Sequence, residues 1–205
     1  MKKIIFTILL LLACVSSVEL GKRLIGPRGV FRYEARDAAR SKGDTTAGLW
    51  ISEYLDFQCE DCRKAHEVIK AYLTNYPSEI YYQVRFLPLS VHVHAWVTAL
   101  GAECAARQKA YWEYEALLFE KQPEWTESQD ARPFLLDYAA QVGLDVKKWQ
   151  ACTEDPSTEK TLSEEKDKAN LLGLKSTPTF FINNKEIIGS KALKEELEKF
   201  FRDKK

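Results

Sequence analysis

Cys59-Glu60-Asp61-Cys62 stands between an apolar run and an amphipathic one, and that junction narrows the folds open to this chain more than any other feature. Leu49 to Phe57 (LWISEYLDF) has few breakers and reads as a buried strand. After the motif, Ala65, Val68, Ile69, Tyr72, Leu73 and Tyr76 recur at the spacing of one helix face, and Pro77 closes it. Glu79 to Leu87 (EIYYQVRFL), rich in β-branched and aromatic residues, predicts a second strand. Strand, helix, strand makes a βαβ unit, so the two strands should be parallel. A cysteine at the start of the helix meets unpaired backbone N–H groups and the positive end of the helix dipole. Both favour the thiolate, the reactive species in disulfide exchange. The same motif can serve as a zinc half-site or a purely structural disulfide. The three histidines, His66, His92 and His94, lack knuckle-type spacing, so no metal site is expected.

The rest of the chain completes an α/β pattern. From Val91 to Gly173 the sequence is almost wholly helical in character. His94 to Arg107 carries an apolar side, and Tyr111 to Leu118 forms a further piece. Pro133 opens a helix that Gly143 stops, Asp145 can cap a turn ending near Cys152, and Asp155-Pro156 starts a charged helix stopping at Gly173. Thr179 to Ile182 and Lys185 to Ile188 predict a hairpin turning at Asn183-Asn184, and Ser190 is expected to cap a last helix. Glu19 to Gly48 reads as a tether with an edge strand near Val30 to Tyr33, then a loop at Lys42-Gly43-Asp44.

The first residues predict an export leader. Met1-Lys2-Lys3 is a positive n-region and Ile4 to Leu12 a short apolar one. Cleavage after Ser17 would release a soluble protein. Cleavage after Ala13, at the lipobox-like Leu11-Leu12-Ala13-Cys14, would leave Cys14 lipidated as the one attachment to a membrane. Of the five cysteines, the folded part then keeps Cys59, Cys62, Cys104 and Cys152, and an even number in an oxidising compartment favours disulfides. The 205 residues carry 30 basic and 30 acidic side chains, which gives no electrostatic footprint for nucleic acid.

Several stretches together resemble the DsbA-like branch of exported thiol-disulfide oxidoreductases. They are Asp56-Phe57-Gln58-Cys59, Pro88-Leu89, Ala102 to Phe119, and Ser176-Thr177-Pro178-Thr179-Phe180-Phe181-Ile182-Asn183. The resemblance covers roughly residues 43–201. It implies a thioredoxin-like fold, a central mixed sheet flanked by helices, with an inserted all-helical subdomain. The expected organisation is a leader over 1–17 (or 1–13), a tether over 18–48, a thioredoxin-like domain from 49–90 and 174–205, and a helical insertion over 91–173. By the same resemblance Cys59 is the exposed nucleophile and Cys62 the buried resolving cysteine. Thr177 and a cis Pro178 bind an extended substrate, and Glu53 is a buried acid that shuttles the proton of Cys62. Cys104 and Cys152 pair as a structural disulfide. No cofactor is implied, the substrates are cysteine-bearing proteins or peptides, and a membrane redox partner in the periplasm or cell envelope resets the pair. The same fold without exchange chemistry would be a peptide-binding or chaperone module.

One departure from the branch matters. Many oxidising members place Pro-His or Pro-aromatic between the cysteines, where this chain has Glu60-Asp61. A carboxylate ~6 Å from a sulfur costs about 1 kcal/mol at high effective dielectric. Both acids are therefore expected to oppose the helix dipole at Cys59, with Arg63 and Lys64 offsetting part of the effect. That predicts a less oxidising pair than in the Pro-His members.

Overall fold

A computed structural model of the protein describes residues 35–202. The leader, Cys14 and the edge strand expected near Val30 lie outside the described residues. Five strands form one mixed sheet: β1 (Ser41–Gly43), β2 (Leu49–Leu55), β3 (Ile80–Phe86), β4 (Thr179–Ile182) and β5 (Lys185–Ile188), in the order β1-β3-β2-β4-β5. β2 and β3 run parallel over their whole length, from Leu49 opposite Ile80 to Leu55 opposite Phe86. The other three pairings are antiparallel.

The two central strands are buried on both faces, which is why they read as nearly continuous apolar runs rather than alternating ones. Asn183 and Asn184 both take positive φ, +46° and +76°, as a two-residue hairpin turn demands. Edge strand β1 occupies the place where a loop was expected at Lys42-Gly43-Asp44. Three residues are too few for a periodic signal. Gly43 ends the strand at φ +91°, and a Cβ there would lie 1.9 Å from the Ile80 carbonyl oxygen. Only glycine permits that approach to β3.

Helix α1 (Glu60–Asn75) crosses from β2 to β3 and buries Cys62, Ala65 and Ile69. The insertion holds α2 (Ala95–Arg107), α3 (Tyr111–Glu120), the short α4 (Gln122–Thr126), α5 (Arg132–Gln141), α6 (Val146–Thr153) and α7 (Pro156–Leu171). Asp145 and Asp155 cap α6 and α7 by accepting from Lys148 N and Ser157 N. Cys104 on α2 and Cys152 on α6 are joined by a disulfide. Helix α8 (Ser190–Arg202) packs beside α1 through Leu193, Leu197 and Phe201. A single apolar core runs from the sheet into the insertion, so the inserted helices extend the domain rather than hang from it. No helix among the described residues is long and apolar enough to cross a membrane.

Candidate active site

Strand β2 ends at Leu55, and Asp56, Phe57 and Gln58 carry the chain to the start of α1. Asp56 fixes this turn. Its carboxylate accepts from Gln58 N at 2.8 Å, Leu89 N at 2.8 Å and His92 Nδ1 at 2.8 Å. Gln122 of α4 reaches back and donates to Phe57 O and Cys59 O, at 2.6 and 3.0 Å. Arg63 Nε donates to Gln122 Oε1 at 3.2 Å, so the insertion grips both sides of the junction.

Cys59 is the N-cap residue of α1 and is half-buried, while Cys62, one turn on, is fully buried. Both are free thiols. The Cys59 thiol donates to Thr177 O at 3.2 Å, and Asp56 N donates to Cys62 Sγ at 3.5 Å. The Cys59 pKa is pulled down from 9.0 to about 6. The largest cause is the hydrogen bond from Cys62. Thr177 and the N–H groups of Cys62 and Asp61 add to it, while burial opposes. The Thr177 hydroxyl is buried without a hydrogen-bond partner, so it is free to serve the thiolate. Cys62 moves the opposite way, well above 9.0, chiefly through burial. One sulfur is thus an anion at neutral pH and the other a thiol.

Glu53 lies on β2, fully buried, and burial raises its carboxyl from 4.5 to about 8. Tyr82 on β3 donates a short hydrogen bond to Glu53 Oε2, while Oε1 is buried without a partner. The Cys59 charge adds to the rise of Glu53, and the Glu53 charge adds to that of Cys62. The Thr177–Pro178 peptide is cis and opens β4 directly beside Cys59. The structure therefore brings Cys59, Cys62, Glu53, Thr177 and Pro178 into one site. It places the Cys104–Cys152 bridge elsewhere, between two insertion helices.

The sequence matches the thioredoxin family over residues 36–202. The chain belongs to that family. Solved structures with the same thioredoxin fold include a variant of Wolbachia pipientis alpha-DsbA1, 22% identical, with a TM-score of 0.69 over 80% of this chain and 89% of that one. BdbD from Bacillus subtilis in its oxidised form is 18% identical, with a TM-score of 0.67 over 79% and 92%. Among curated proteins, the Na(+)/H(+) antiporter NhaA 3 of Salinispora tropica is 33% identical over 150 residues, which are 73% of this chain and 22% of that protein. The chain spans less than a quarter of the length of such relatives.

One expectation near this thioredoxin-family site needs correction, the cap of α8. The Cys59 thiol is lowered with Glu60 and Asp61 beside it, and both carboxylates are held by other partners. Glu60 is exposed, and its carboxylate lies 3.0 Å from Lys64 Nζ and 3.8 Å from Arg63 Nη2. The Asp61 carboxylate turns away to α8, where it accepts from Ser190 N at 2.8 Å and from Ser190 Oγ at 2.6 Å. Ser190 accordingly is not the cap of α8 but its first residue, capped by Asp61. His66 is mostly buried against Phe119, with Nδ1 3.9 Å from Glu115 Oε2, and burial lowers it to about 4.

Reading the sequence missed Tyr82, Gln122 and Glu115. Glu115 is buried on α3, bonded by Tyr111, and raised to about 8 by burial. A single acid on an otherwise apolar helix face was the only signal, and its partner lies on another turn. Glu115, Tyr82 and His66 line a cleft of about 310 Å3 beneath the sheet.

Proposed function

We propose that this thioredoxin-family protein is an exported thiol-disulfide oxidoreductase that acts on cysteine-bearing proteins or peptides through Cys59 and Cys62. The observation that carries the reading is the opposite displacement of the two thiols, Cys59 to about 6 and Cys62 upward, beside a cis-proline loop. The Cys59 thiolate attacks one sulfur of a substrate disulfide. The other substrate sulfur leaves as a thiolate and takes a proton from water. Cys62 then gives its proton to the fraction of Glu53 that is ionised below its pKa of about 8, attacks Cys59 Sγ, and releases the second substrate thiolate. Two electrons pass from the pair to the substrate, and Cys59–Cys62 is left as a disulfide. Run backwards, the same steps oxidise a dithiol. Backbone beside Thr177 and Pro178 pairs with the extended substrate, so affinity needs little sequence preference.

A nucleophile near 6 lies between the ~7 of thioredoxin and the ~3.5 of the strongest periplasmic oxidant. Stabilising the thiolate stabilises the reduced form, so the potential falls between about −270 and about −120 mV. This supports the less oxidising character first read from Glu60-Asp61, though for a different reason. The leader-like Ile4 to Leu12 run supports export to the periplasm or cell envelope, with or without lipid at Cys14, and a membrane redox partner that resets the pair there.

Insulin reduction and scrambled-substrate refolding test the reading. Cys59→Ser should lower both to background. Equal activity in that variant would leave the non-catalytic peptide-binding module as the better account. Equilibration with glutathione measures the potential, and a value outside that range would overturn the intermediate character.

A further inference from the structure

Asp61 is one of the two residues between the cysteines, yet its hydrogen bonds go to a helix that begins 129 residues later. Helix α8 starts without a cap of its own. Gly189 precedes it at φ +89°, and Ser190 offers both its N–H and its hydroxyl to Asp61. The next link is Gly189 N, which donates to Pro178 O at 2.9 Å. Thr177 O, one residue back, accepts from Cys59 at 3.2 Å. The contacts close a circle: Cys59 to Thr177, Pro178 to Gly189, Ser190 to Asp61, and Asp61 along the chain to Cys59.

We propose that Asp61 and Ser190 form a latch that fastens the cis-proline loop and the start of α8 to the cysteine motif, and that Ser190 is a positioning residue controlling how the acid beside Cys59 acts on its thiolate. Two physical effects follow from the geometry. With both oxygens held by Ser190 at the positive end of α8, the carboxylate is partly neutralised by that helix. It is also kept away from the free N–H groups of its own helix. Those are the groups that hold the thiolate, namely the N–H groups of Asp61 and Cys62. Released from Ser190, an acid in the first turn of α1 turns to the same donors and competes for them. The other charged or titratable groups around Cys59 stay put: Glu60 paired with Lys64 and Arg63, Arg63 on Gln122, Glu53 and Tyr82 beneath, and Cys62 alongside.

The inference rests on the proposed role of Cys59 for its meaning in turnover, but its test needs no turnover. In the reduced full-length protein, thiolate absorbance against pH reports Cys59 alone below pH 8, because Cys62 titrates far higher. Ser190→Ala should reduce the ionisation constant of Cys59 about threefold, the size of a partly released charge several ångströms away. Ser190→Thr, which keeps the hydroxyl, should restore it. In an Asp61→Asn background, where an acceptor remains but the charge is gone, Ser190→Ala should have no effect. A Cys59 ionisation unchanged by Ser190→Ala, or shifted equally in both backgrounds, would overturn the latch. Failure of Cys59→Ser to lose activity would instead overturn the proposed reaction and leave this result standing.

Discussion

The groups that lower the Cys59 thiol are neutral donors: the Cys62 thiol, the Thr177 side chain and two backbone amides. A charge count between the cysteines does not register such donors. Net charge nearby matters less than which atoms point at the sulfur, and a dipeptide cannot say where its carboxylates point. Glu53 shows the complementary case, an acid in an apolar strand whose burial the family resemblance implied and whose partner Tyr82 it did not. β2 and β3 run in register, and Ile51 lies opposite Tyr82, so only the pairing brings that hydroxyl to the next inward residue, Glu53. The buried carboxyl has a consequence for stability. The folded protein keeps the Glu53 proton to about pH 8, whereas an unfolded chain releases it near 4.5. The contribution is complete below 4.5 and is lost as pH rises toward 8, by up to about 1.4 kcal/mol per pH unit. Glu115 adds a loss of the same sign in the same window, while His66 weakens the fold as pH falls from 6.5 toward 4. Glu53→Gln should therefore flatten the decline in urea midpoint between pH 5 and 8. It should also slow the resolving step, measured by the lifetime of a mixed disulfide at Cys59. An unchanged pH slope would mean that Glu53 is ionised in the folded protein.

At the level of elements, periodicity and caps marked most of the pieces, because helices of ten or more residues and buried strands repeat their signal. What it left out is short or held by distant residues: β1, α4, and the start of α8, whose cap comes from α1. Arg40 is a further instance. It ends the 3-10 helix Ala35–Arg40, and its side chain is almost fully buried. The guanidinium lies 3.1 Å from Glu165 on α7, 3.6 Å from Glu103 on α2, and 4.2 Å above the ring centre of Phe86 on β3. One cation thus joins the sheet to two insertion helices, and nothing local in the sequence sets Arg40 apart from its neighbours. Arg40→Ala would leave Glu165 with only Arg85, 3.8 Å away, and Glu103 with only Arg107, 3.3 Å away. The expected loss is about 3 kcal/mol, the low end for breaking a buried pair, since each acid keeps one flanking cation. Chemical denaturation checks this, and a loss under 1 kcal/mol would mean that water reaches both carboxylates.

For the whole molecule, the fold and the chemistry are linked through one proton. In the reduced protein Cys59 ionises near 6, and in an unfolded chain near 9.0. Between those values the unfolded state binds more protons, so the reduced fold gains stability as pH rises from 6 to 9 and loses it as pH falls back through 6. The oxidised protein has no thiol there to titrate. Glu53 and Glu115 are carried by both forms, and the part of their pH dependence common to both cancels in the difference. The stability of the reduced protein relative to the oxidised one should therefore increase from pH 6 to pH 9. By the closed cycle of folding and redox steps, the same difference makes the folded pair more oxidising than the pair in an unfolded chain. Parallel denaturation curves for the two forms at pH 6, 7.5 and 9 measure it. A constant difference would mean that Cys59 titrates as an ordinary thiol, and the donors around it would then have no part in driving exchange.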